Sequence, residues 1–90
     1  MNPEVMQIFA DCKRAYQLAF GTPAGEAVLT DLSPFCRVKE TCVVPSNRDL
    51  TYVLEGRREV YLRIRDYLDL TVEQLVEKYT KPAMGAQGYD

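Results

Sequence analysis

Histidine and tryptophan are absent from this 90-residue chain, and cysteine occurs only three times. Without histidine the chain has no Ser-His or Cys-His nucleophile pair and lacks the commonest zinc ligand. Cys12, Cys36 and Cys42 are an odd set without Cys-x-x-Cys spacing, so they read as reduced thiols buried as small apolar side chains rather than as a disulfide framework or a metal site. No stretch approaches the roughly 18 apolar residues of a membrane span, and the opening Met1-Asn2-Pro3-Glu4 lacks the basic and apolar regions of a signal peptide. The expectation is a protein made and kept in a cytosol. No glycine-rich phosphate loop is present either, since Gly21-Thr22-Pro23-Ala24-Gly25 has neither the length nor the lysine of that motif. No cofactor, metal or small-molecule substrate is expected, and no enzyme.

The net charge is −2 and the pI about 5.1, which gives no overall attraction to nucleic acid or to an anionic membrane. Hydrophobic residues make up 47% of the chain and charged residues 27%, a balance that folds. A chain this short buries only roughly 60 to 65% of its unfolded surface, so stability should be marginal and partners can add to it.

The spacing predicts an all-α fold, a small bundle of three to four helices with a long central helix, comprising a helical domain over 1–81 and an irregular tail over 82–90. Asn2-Pro3-Glu4 places a cap, a first-turn proline and an acid in the order that starts a helix. That helix runs to about Phe20, with Val5, Ile8, Phe9, Cys12, Ala15, Tyr16 and Ala19 on the face to be buried. At the first joint Gly21 can take the left-handed conformation that closes a helix, Thr22 can cap the next, Pro23 suits its first turn and Gly25 follows. The second helix presents Ala27, Val28, Leu29 and Leu32 until Ser33-Pro34 interrupts it with a kink or a short new turn carrying Phe35 and Cys36, and residues 37–46 have no helical period.

Ser46 with Asp49 resembles a cap for the long segment from Asn47 to about Asp69, whose apolar positions are Leu50, Val53, Leu54, Val60, Tyr61, Ile64, Tyr67 and Leu68. Gly56 in its middle costs about 1 kcal/mol relative to alanine. Its presence suggests a backbone crossing closely or a bend, with a tolerated weak spot as the plainer reading. Thr71 and Gln74 have capping-box spacing and restart a helix that Lys81-Pro82 ends.

Arg57, Arg58, Arg63 and Arg65 form the main basic cluster. Acids interleave with them, and residues 46–80 carry six basic against seven acidic side chains. Such a mixture reads as a solvated or partner-facing surface, with contact to DNA phosphates as the alternative. Six tyrosines suit core edges and interfaces, and Tyr89 in the tail is a candidate contact to another subunit.

Two stretches resemble the signatures of a known family. Residues 20–36 carry an aromatic residue, Thr22-Pro23-x-Gly25, then Val28-Leu29-x-Asp31-Leu32 leading to Cys36, and residues 55–64 carry Gly56-Arg57-Arg58 before an aliphatic helix. Together they resemble a family of short tailed-bacteriophage proteins typified by one from a Bordetella phage and encoded near portal and capsid genes, with similarity over about residues 8–70. The resemblance implies a virion-associated structural or assembly protein acting by protein contacts near the portal, the head-to-tail junction or the DNA-ejection apparatus. Its partners would be other virion proteins and further copies of itself, as a homo-oligomer. A DNA-binding accessory in genome packaging or gene control is the alternative, and a small regulator that binds a host protein is a third.

Overall fold

In a computed structural model, which describes residues 2–81, four helices follow one another: α1 (Pro3–Phe20), α2 (Pro23–Phe35), α3 (Arg48–Asp69) and α4 (Val72–Thr80). No strand occurs among the described residues, and the all-α bundle with α3 as its longest helix agrees with the sequence pattern. The tail over 82–90, including Tyr89, lies outside the described residues.

Local chemistry sets the starts of these helices. The Asn2 side chain accepts from the backbone amide of Glu4 at 2.8 Å, and Thr22 Oγ1 accepts from that of Gly25 at 3.0 Å. Thr71 and Gln74 close a reciprocal capping box at 3.1 and 2.9 Å. Each satisfies amides that would otherwise lack a partner at a helix start. The cap of α3 is Asn47 rather than Ser46: its Oδ1 accepts from the Leu50 amide at 3.0 Å. Asparagine at this position can do what serine one residue earlier was expected to do.

Ser33-Pro34 does not end the helix: α2 continues to Phe35 with Pro34 inside it. A proline in the last turn forfeits only one ladder bond, and that turn is solvated. The helix instead ends in a Schellman arrangement. Val38 donates to the Ser33 carbonyl at 3.2 Å and Arg37 to that of Pro34 at 3.1 Å, with Arg37 at a left-handed φ of 54°.

The first joint is tight for a reason other than handedness. Gly21 has φ −83°, so the left-handed conformation expected of it is absent. What the joint needs is closeness. A Cβ at Gly25 would lie 2.3 Å from Phe20 Cα and 2.5 Å from its carbonyl oxygen, and one at Gly21 would lie 2.7 Å from the Gln17 oxygen. Glycine lets the first turn of α2 rest on the last backbone turn of α1, and Gly25 is buried there.

Helix α1 touches each of the other three, and α2 also touches α3. The Cα extents are 47 × 37 × 14 Å. A helical Cα cylinder of radius about 2.3 Å and an interaxial distance of 8–10 Å make two stacked helices roughly 14 Å deep. Few side chains can be surrounded in a body that thin. The buried apolar residues are Leu29, Cys36, Cys42, Leu54, Tyr67, Leu75 and Val76. Cys36 and Cys42 are buried free thiols and Cys12 is a half-buried one.

Replacing Gly25 with alanine must push backbone against backbone. Gly25→Ala is expected to destabilise the chain by about 3 kcal/mol, lowering the thermal midpoint by roughly 10–20 °C, as circular dichroism melts would measure.

Candidate partner-binding groove

The inward stripe of α1 is rotated from its expected position. Val5, Phe9, Cys12 and Tyr16 turn inward, but Ile8, Ala15 and Ala19 are exposed and Lys13 takes a place on the inner side. Sequence reasoning did not single out Lys13. The signal available was a lone charge beside Phe9, Cys12 and Tyr16 on an otherwise apolar face. Its ammonium donates to the backbone carbonyls of Leu70 at 2.7 Å, Tyr67 at 3.0 Å and Leu68 at 3.5 Å. These belong to the C-terminal end of α3, where carbonyls lack helical partners and the helix dipole favours a cation.

Beside this clasp Tyr67 is buried in a stack of rings. Tyr16 lies 4.5 Å away, Tyr79 6.0 Å and Phe9 6.4 Å between centroids. The seam joins α1, α3 and α4. Asp66, next in sequence, accepts from the Tyr79 hydroxyl at 2.6 Å and from Lys78 Nζ at 2.6 Å, which ties α4 to α3. Burial, then the Asp66 hydrogen bond and the Asp66 charge, hold the Tyr79 phenol well above its ordinary pKa.

The opposite side of α3 has no helix on it. Of the apolar positions expected to face a core, Val53 is 50% exposed and Val60 63%, and Tyr52 is 66% exposed. Tyr52, Gly56 and Val60 line an open groove of about 650 Å³ that continues to Arg63 and to Tyr79 of α4. Nothing lies within 4 Å of the position a Gly56 Cβ would occupy. Neither a crossing backbone nor any other group in the described chain therefore explains this glycine.

Three of the four arginines singled out from sequence are separately engaged. The Arg57 guanidinium lies 4.3 Å from the Phe35 ring centroid. Arg65 reaches Glu26 of α2 at 3.1 Å and Asp69 at 3.2 Å. Arg63 lies over the rings of Tyr79 at 4.5 Å and Tyr67 at 5.4 Å. Arg58 lines the groove with Arg63. Among the described residues no group of three or more histidine, cysteine, aspartate or glutamate side chains is placed to hold a metal ion, and no helix is long and apolar enough to cross a membrane.

Two outcomes follow from the clasp and the seam. Lys13→Met leaves three carbonyls without their cation and should cost about 2 kcal/mol, read as a lower urea midpoint. For Tyr79 the sign is fixed by its raised pKa. Its contribution is complete below the unfolded phenol value of about 10 and is lost as pH rises toward the higher folded value. Stability measured by urea titration should fall above pH ~10, and Tyr79→Phe should lessen that fall while costing about 1 kcal/mol at neutral pH.

No curated protein and no solved structure matches the chain. The family model described as Bbp19-like phage protein matches residues 16–80. That span begins in the last turns of α1, includes both glycine-bearing segments that carry the resemblance, and extends through α4, further toward the C-terminus than the two signatures alone indicated. The match covers most of the chain and takes in the Gly25 joint, the Tyr67 seam and the outer stripe of α3: this chain belongs to the family of Bbp19-like phage proteins.

Proposed function

We propose that this phage protein is a non-enzymatic, virion-associated structural or assembly component of a tailed bacteriophage. It works through protein contacts near the portal, the head-to-tail junction or the DNA-ejection apparatus. The observation that carries this reading is the unpartnered stripe of Tyr52, Val53 and Val60 on α3. Large apolar side chains arrayed on one helix of a thin molecule gain free energy, at about 25 cal/mol per Å², when another polypeptide covers them. Membership in a phage protein family supports a partner among phage proteins.

The arginines also support protein contact over contact with DNA phosphates. Arg65 is held by two carboxylates, and Arg57 lies over the Phe35 ring. A phosphate backbone would have to compete for the first and draw the second away. Acids stand among them, and Glu55 and Glu59 line the same groove as Arg58 and Arg63.

Mass spectrometry of purified particles tests the reading: the protein should be present in several copies. Its absence from particles would sink the proposal. The purified protein should show no measurable affinity for duplex DNA at moderate salt. Binding that falls steeply with salt, with a slope flattened by Arg58→Ala and Arg65→Ala together, would establish a nucleic-acid accessory instead.

A further inference from the structure

We propose that the outer stripe of α3 seats a second copy of this chain, its α3 packed antiparallel across a two-fold axis at Gly56. The inference concerns the isolated chain and stands apart from where in a phage the protein acts.

A two-fold interface uses the same patch on both subunits, so its residues must complement one another after reversal. The stripe has this property about Gly56. Asp49 and Arg63 each stand seven residues from it, Tyr52 and Val60 four, and Val53 and Glu59 three. At 100° per residue these offsets place all six within about 60° of the Gly56 direction, on one face some four turns long.

Reversal about Gly56 sets Asp49 of one copy opposite Arg63 of the other, and Arg63 of the first opposite Asp49 of the second. It also sets each Tyr52 ring beside the other copy's Val60. Val53 is set opposite Glu59. Opposite charges thus meet at both ends of a centre that is apolar apart from Glu59. Parallel packing in register would instead set Asp49 against Asp49 and Arg63 against Arg63.

Gly56 explains itself in this arrangement. A glycine at the crossing point lets two helix backbones approach more closely than any other residue permits, and the space beside it is open. It is the reason for a mid-helix glycine that the single chain does not supply. The charged residues are free for the purpose. Among the described residues Asp49, Glu59 and Arg63 take part in no salt bridge. The Arg63 guanidinium is instead steadied over Tyr79 at the groove's end, where a partner carboxylate can approach it. Val53, Val60, Gly56 and Asp49 are all exposed.

Sedimentation equilibrium on the purified chain should show a reversible dimer with a dissociation constant in the micromolar range, as befits a small interface. Charge reversal makes the register testable. Asp49→Arg alone and Arg63→Glu alone should each weaken the dimer about tenfold or more, because each sets like charges opposite one another twice. Mixing the two variants should restore it as a heterodimer, since every opposed pair is then again of opposite sign. Gly56→Ala should weaken dimerisation and at the same time raise the melting point measured at a concentration where the chain is monomeric, the helix gaining a better former. Should a charge variant fail to fold, Gly56→Cys remains informative. Under mild oxidation it should give a chain-to-chain disulfide at the axis, where facing Cα atoms come within the few ångströms a disulfide spans.

A wild-type chain that stays monomeric into the millimolar range overturns the proposal and leaves the stripe to a different protein or to residues 82–90. A dimer that Gly56→Ala does not weaken, or that Gly56→Cys does not cross-link, overturns it equally, because its contact lies elsewhere.

Discussion

The C-terminal end of α3 is fixed to α1 by one lysine and one tyrosine, and the placing of the longest helix follows from that attachment. Lys13 supplies a cation to three carbonyls at the point where α3 ends and the chain turns into α4. Hydrogen bonds to a charged group are worth about 1.5–3 kcal/mol, whereas exposed ion pairs such as Lys81 with Glu77 contribute about 0–1 kcal/mol. The clasp therefore outweighs several surface pairs. It also works together with the Tyr67 stack, which places the same turn of α3 against α1 and α4. Towards its other end α3 is held more lightly, by buried Leu54 and by Arg57 on Phe35.

A helix fixed on one side in a molecule this thin must leave its other side open. With a smallest Cα extent of 14 Å, the depth of two helices, α1 and α2 on the inner side of α3 leave no further helix to lie over its outer side. The apolar residues of its outer face then have water or another polypeptide as neighbour. Water is the costlier choice at roughly 25 cal/mol per Å². The thin body and the exposed stripe are thus one feature seen twice: a small core and the apolar surface it leaves uncovered.

Much of the fold could be read from residues whose effect is local. Asn2 with Pro3, Thr22 with Pro23, and Thr71 with Gln74 each set a helix start through bonds spanning two or three residues, and all three hold. Misreadings arose where the deciding partner is distant or the local rule had two answers. Asn47 and Ser46 are both good caps, and only the backbone path chooses between them. Gly21 permits a left-handed turn but is used for closeness. Periodicity marks Val53 and Val60 as apolar positions of a helix, yet nothing in a 3.6-residue period tells a face that meets its own chain from one that the chain leaves exposed. Lys13 was illegible because its carbonyl partners are more than fifty residues away in sequence. The family signatures, by contrast, were legible because they sit at the two glycine-bearing segments, and the matched span contains both.

The arginines show how the same residues change meaning between sequence and fold. On a linear reading four guanidinium groups within nine positions make a basic cluster. In the folded chain three of them point at different neighbours, and each uses a property lysine lacks. Arg65 presents separate nitrogens to Glu26 and Asp69, while Arg57 and Arg63 lay flat, weakly hydrated cations over rings. Positive charge spent in this way fastens α3 to α2 and α4 and projects little field into solvent. The outer face keeps exposed Tyr52, Val53 and Val60 around Gly56, with Glu59 among them and Asp49 and Arg63 toward its ends. A face of mixed sign with apolar side chains about its middle is poorly suited to a uniform polyanion.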